Sequence, residues 1–111
     1  MATRVAQAEA LVLTAVTANT TVTVPIGYGI RDLFIRNTTA NAVTGGIKVG
    51  TTSGATDVVT ALAVGANAFV TIVPTLRIFS ATATQTLFIQ AVTAFNSASL
   101  DITITMDRAI P

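Results

Sequence analysis

The sequence predicts an all-β fold, a single β-sandwich of about eight short antiparallel strands, jelly-roll-like or built from two similar halves. Three observations predict it. Threonine makes up about a fifth of the chain, and with Val and Ile it forms short alternating runs such as Ser99-Leu100-Asp101-Ile102-Thr103-Ile104-Thr105-Met106. Such β-branched residues fit a pleated, half-buried surface. Clusters of Gly, Pro, Asn and Ser cut the chain into runs of strand length. No segment combines a helical apolar stripe with a capping box, and the Ala-rich stretches 2–18 and 57–68 therefore read as strand, arm or loop. The 111 residues fit one domain and are enough to bury a core without disulfide or metal staples.

The elements follow in order. Residues 1–10 read as an N-terminal arm that orders on a neighbour, since they carry no periodic apolar face. Residues 11–111 form the sandwich domain. Gln7 and Glu9 interrupt the apolar run of the arm, leaving no signal-peptide core, and no stretch approaches the roughly 18 apolar residues of a membrane helix. Strands are predicted at 11–16; at 20–24, stopped by Pro25 and the Gly27-Tyr28-Gly29 turn; and at 30–37. A short strand at 46–49 lies between two glycine turns, and another is expected at 57–61. The run 68–73 follows the Gly65-Ala66-Asn67 turn and ends at Pro74; 76–80, 86–92 and 100–106 complete the set. Both body prolines sit just after strands, where a missing N–H removes no ladder bond.

An internal repeat accompanies this pattern. Val22-Thr23-Val24-Pro25, preceded by Ala18-Asn19, matches Val70-Thr71-Ile72-Val73-Pro74, preceded by Ala66-Asn67. Leu33-Phe34-Ile35-Arg36 matches Leu87-Phe88-Ile89-Gln90 in the same order. The order predicts two similar antiparallel units packed face to face, although a chain so rich in Thr, Ala and Val also matches itself by chance.

Composition excludes most chemistry. Cysteine and histidine are absent, which removes thiolate nucleophiles, disulfides, the commonest metal ligand and the commonest general base. The net charge is +1, with one lysine and no basic stripe, so neither nucleic acid nor membrane is expected as a partner. Gly45-Gly46-Ile47-Lys48-Val49-Gly50-Thr51-Thr52-Ser53-Gly54 has the look of a ligand loop. A phosphate cradle needs its Lys after the glycine turn, opening a helix; here Lys48 precedes the turn inside a strand, and hairpin turns account for the glycines. Asp101, Thr103, Thr105 and Asp107 share one face of the last strand while Leu100, Ile102, Ile104 and Met106 face the core. Carboxylates spaced along a strand converge poorly on calcium, and a solvated face with an arginine pair is expected instead. No enzyme activity, cofactor or metal is therefore expected. Four of the six aromatics lie in predicted strands and read as core. Tyr28, between glycines, and Phe95, beside Asn96-Ser97, are the aromatic candidates for exposed contacts. Arg4 and Glu9 are the charged candidates in the arm.

Only 10% of residues are charged, against roughly a quarter in ordinary soluble domains. Such a surface is either built from Thr, Ala, Asn and Gly or covered by neighbours. From Thr44 onward the chain resembles small β-rich virion proteins of tailed bacteriophages. The resemblance rests on Gly46-Ile47-Lys48-Val49-Gly50-Thr51-Thr52-Ser53-Gly54, Ala63-Val64-Gly65-Ala66-Asn67, Phe79-Ser80-Ala81-Thr82-Ala83-Thr84-Gln85-Thr86-Leu87 and Ala91-Val92-Thr93-Ala94-Phe95-Asn96-Ser97-Ala98. It implies a head decoration (cement) protein, made in the host cytoplasm. Such a protein would bind the major capsid protein and itself, as a homodimer or homotrimer, on the capsid surface. A tail or head-fibre base component is the nearest alternative. A carbohydrate-binding adhesion module is the alternative of another class; aromatics exposed on one sheet face would favour it.

Overall fold

The computed structural model describes residues 8–74, 78, 80 and 82–108. Eight strands carry the fold: β1 (Ala8–Val16), β2 (Thr20–Val24), β3 (Tyr28–Asn37), β4 (Ile47–Gly50), β5 (Val59–Leu62), β6 (Phe69–Ile72), β7 (Gln85–Ala91) and β8 (Leu100–Arg108). They form two four-stranded sheets, ordered β1-β8-β3-β6 and β2-β7-β4-β5, and every pairing is antiparallel. No helix occurs among the described residues.

This strand order is that of a jelly roll. β1 pairs with β8, β2 with β7, β3 with β6 and β4 with β5, as in one long hairpin with β1–β4 as one limb and β5–β8 as the other. Rolling that hairpin sets β8 against β3 and β7 against β4, which closes each sheet. The same order relates the two halves of the chain. Replacing each strand by the one four places along converts β1-β8-β3-β6 into β5-β4-β7-β2, the second sheet read backwards. The sequence repeat falls on this correspondence, β2 with β6 and β3 with β7. The halves differ in register: Leu33 opposes Ile72, whereas its counterpart Leu87 opposes Val22 rather than Val24. The offset is even, so each side chain keeps its face.

Alternation places the core. In the first sheet Leu11, Ile104, Leu33 and Ile72 form one inward row, and Leu13, Ile102, Ile35 and Val70 the next. Val24, Leu87, Ile89, Ile47 and Val49 face them from the second sheet, all completely buried. Each such side chain contributes about 1.5–3 kcal/mol of transfer free energy, which accounts for a stable core without covalent staples.

Three strands start two or more residues away from the sequence reading, β8 runs on to Arg108 rather than ending at 106, and the ends of β4, β5, β6 and β7 shift by one residue. β1 reaches back to Ala8, so 8–10, assigned to the arm, are paired with β8. β3 begins at Tyr28 rather than Ile30 because the turn closes early, through a hydrogen bond from Tyr28 N to the Pro25 carbonyl (3.2 Å). β5 begins at Val59, because Asp57 is held in the preceding loop by Thr51. The predicted strand 76–80 lies outside the described residues except for Ile78 and Ser80, neither of which is in a strand.

The connections β1–β2, β3–β4, β5–β6 and β7–β8 gather at one end of the sandwich. Asn37, 1% exposed, ties two of them together, β3–β4 and β5–β6. Its Nδ2 donates to the carbonyls of Asn41 (2.6 Å) and Gly65 (3.1 Å), and its Oδ1 accepts from Thr39 N (2.9 Å) and Thr39 Oγ1 (2.7 Å). Asn96 Nδ2 donates to the Ala42 carbonyl (3.3 Å), and Ala91 N donates to Asn19 Oδ1 (3.1 Å). Gly46 is required at this end: its φ is +87°, and a Cβ there would lie 2.6 Å from the Leu62 carbonyl oxygen.

Candidate functional site

The two outer faces of the sandwich differ. On the second sheet the loop between β4 and β5 folds back over the strands. Gln90 holds it, accepting from Gly54 N (2.8 Å) and donating to Ser53 Oγ (3.3 Å). The loop lies so close that a Cβ on Gly50 would overlap the Ala55 main chain. Asp57 closes its base, accepting from Thr51 N (2.9 Å) and Thr51 Oγ1 (2.6 Å). These hydrogen bonds, the hydroxyl's first, hold the Asp57 carboxyl below the usual aspartate range. The Gly-rich segment is thus a strand and its flanking turns, with Lys48 inside β4, as the sequence reading held.

The outer face of the first sheet carries no such covering among the described residues. One row across it runs Val12, Thr103, Phe34, Thr71. The next holds Asp101, Arg36 and Phe69. The Phe34 and Phe69 rings stack with centroids 5.8 Å apart and planes 10° from parallel. Phe69 is 71% exposed, Val73 just beyond β6 is 74% exposed and Val12 is 63% exposed. The face thus carries an apolar strip of Phe34, Phe69 and Val73 towards the β6 edge, with the exposed Arg36 beside it, and Val12 at the β1 edge beyond Thr103. Exposed apolar surface of this kind marks interaction sites.

Charges lie around the strip. Arg31 pairs with Asp107 (3.3 Å) and sits 3.9 Å from Asp32. Asp101 Oδ1 accepts from Ala15 N (3.1 Å), where β1 bulges and Ala15 takes a φ of 53°. The carboxylates of β8 are engaged singly, one by an arginine and one by main chain. No group of three or more metal-ligating side chains exists among the described residues.

The residues singled out in the sequence are not brought together. Arg4 lies outside the described residues. Glu9 sits in β1 opposite Met106, and Tyr28 opens β3 opposite Arg108, at the same end of the first sheet. Tyr28 is half-buried and packs against the core. Phe95 belongs to the opposite end, and the expectation that it is exposed is corrected: it is 9% exposed and part of the core. Its turn explains why. Asn96 and Ser97 both take positive φ (54° and 62°), and Ala98 N donates to the Phe95 carbonyl (2.9 Å), which turns the ring inward. Phe69 and Phe34, both read as core, are corrected: they lie on the outer face, Phe69 exposed and Phe34 half-buried. For Phe34 the signal lies in the sequence, because Asp32 and Arg36 share its parity and Leu33 and Ile35 take the other.

No family model matches the chain, and no curated protein matches it. Among solved structures it is similar to a chain of the cyanophage Pam1 capsid asymmetric unit. That similarity covers 92% of this chain and 82% of that one, at 17% identity and a TM-score of 0.45.

Proposed function

We propose that this chain is a non-enzymatic structural protein of a bacteriophage virion, which decorates the capsid surface and stabilises it by bridging capsid subunits. The observation that carries the reading is the open outer face of the first sheet. It presents Val12, Phe34, Phe69 and Val73 among threonines, with Arg36 and Asp101 beside Phe69, and is uncovered by the loops described. Interface cores are depleted in charge and enriched in aromatic residues, and a decoration protein needs such a face for the major capsid protein. The resemblance of the chain from Thr44 onward to phage virion proteins supports the same reading. The segment preceding β1 acts as an arm that orders on a neighbouring subunit. The role calls for no cofactor, nucleic acid or membrane.

One observation favours a second reading. An aromatic pair on one open sheet face, with Phe69 exposed and Phe34 half-buried, suits a carbohydrate-binding adhesion module, by stacking on sugar rings. A component of a tail or head-fibre base uses the same open face for another virion protein. The test is co-sedimentation with heads assembled from the major capsid protein, next to a glycan array. Binding to heads that Phe69→Asp abolishes, in a variant with unchanged circular dichroism, supports decoration. Absence of binding to heads overturns it. Glycan binding lost in the same variant establishes the adhesion module instead, and binding to tails alone establishes the base component.

A further inference from the structure

We propose that the β1 edge pairs with the β1 edge of a second copy, antiparallel across a twofold axis, joining two first sheets into one eight-stranded sheet. The inference deepens the structural reading above and rests on it for its role on the particle.

The four sheet edges are not alike. β2 has five residues and ends at Pro25; β5 and β6 have four each. Pro74 follows β6 closely, and β5 pairs irregularly with β4. β1 has nine residues and contains no Pro, Lys or Arg. Natural edges are guarded by such residues, by short length or by bulges. The one bulge in β1 is confined to its last residues, between Leu13 and Val16, and its one charge, Glu9, lies near its start. Between them an unbroken row of main-chain N–H and C=O groups points away from β8. The partner that satisfies such a row is another extended strand.

The side chains of β1 select its own copy. Leu11 and Leu13 face the core yet remain half-buried, because the sandwich is open along this edge. Val12 stands out on the other face. With Val12 opposite Val12 at the axis, Leu11 of each copy meets Leu13 of the other on the inner side. Ala10 then meets Thr14 on the outer side. Glu9 meets Ala15, so the one charge of each strand faces a small side chain and no like charges oppose each other, and the even register keeps inner faces with inner faces. Such an isologous contact closes as a dimer. The axis runs normal to the sheet, so the two Phe34–Phe69 strips lie on the same side and face one common surface. A single strand pair covers less than the roughly 800 Å² per partner of a standard interface, so the expected dissociation constant is on the order of 1–100 μM.

The chain lacks cysteine, so single-cysteine variants are clean probes. At about 100 μM under mild oxidation, Val12→Cys is expected to form a disulfide-linked dimer, while Thr23→Cys on the β2 edge stays monomeric. Sedimentation of the full chain over roughly 1–500 μM should show a monomer–dimer equilibrium above the 11.4 kDa monomer. Val12→Lys should shift its midpoint at least about tenfold upward while leaving circular dichroism unchanged; if that variant does not fold, the cysteine pair decides. A monomer at the highest concentration, or equal cross-linking at both positions, overturns the inference. No particle is present, so the outcome is independent of head binding. Heads bound by a strict monomer leave the decoration role standing without the dimer, and a dimer that binds no head does the reverse.

Discussion

Asn37→Asp is the most informative single change. The substitution is isosteric and retains the Oδ1 acceptor for Thr39. It removes both donors, so a carboxylate oxygen is left facing the carbonyls of Asn41 and Gly65. Two hydrogen bonds at about 1 kcal/mol each are lost. Placing a buried charge against two carbonyl dipoles raises the total to about 3–5 kcal/mol at neutral pH. That is a large part of the roughly 5–15 kcal/mol that holds a domain folded. The environment disfavours the charged form, so the folded-state pKa of this carboxyl lies above its unfolded value of about 3.9. The penalty is therefore full above the folded pKa and shrinks as pH falls towards the unfolded value, where the protonated acid also regains one donor. Urea unfolding at pH 7 and pH 4 measures both quantities, with wild type at each pH as reference. Amide exchange in 38–43 and 65–68 should rise in the variant at pH 7, since these are the loops that Asn37 joins. A loss below about 1 kcal/mol at pH 7, or a loss that does not change with pH, would refute the staple role.

Other substitutions test the faces and the loop. Ile104→Asp should abolish cooperative unfolding, because Ile104 is fully buried and an unpaired buried carboxylate costs several kcal/mol. Thr103→Asp, one residue away on the outer face, should change the unfolding free energy by about 1 kcal/mol or less. Gly50→Ala should cost about 1–3 kcal/mol in a thermal melt, because the added methyl displaces Ala55 and its loop. Asp57 should titrate below its ordinary 3.8 by nuclear magnetic resonance, and Thr51→Val should raise that midpoint. The lowered pKa means that the loop's closure is fully present above the unfolded value and is lost as pH falls through the folded one; Thr51 amide exchange should accelerate across that window.

Where polar and apolar residues alternate strictly, the sequence carries the structure. β8 reads Leu-Asp-Ile-Thr-Ile-Thr-Met-Asp, and its buried and half-buried positions alternate along the strand. β2 keeps its predicted bounds because Pro25 and the Asn19 turn punctuate it on both sides. The repeat carries topological information as well, since equivalent segments fall four strands apart in the jelly roll. What the sequence does not carry is the identity of long-range polar partners. Asn19 and Asn96 look like ordinary turn residues in sequence, and Asn37 like the end of a strand. Their importance comes from loops up to 72 residues away that the rolled hairpin brings to one end.

The aromatics show why the candidate face was harder to read than the fold. Hydrophobicity assigns every strand Phe to the core, but in a sheet the face is decided by parity, and parity is decided by the neighbours. In β6 and the residue after it, Phe69, Val70, Ile72 and Val73 are apolar on both parities, and only Thr71 distinguishes them. Val70 and Ile72 win the core because their partners across the strand, Ile35 and Leu33, are already committed to it by Asp32 and Arg36. Phe69 is then forced outward by register, not by its own preference, and stacks on the ring of Phe34. An aromatic left exposed against its own transfer free energy, on an open sheet face, costs solubility unless another surface covers it. The Phe69 side chain is thus the position where the interaction reading is most exposed to test, through Phe69→Asp.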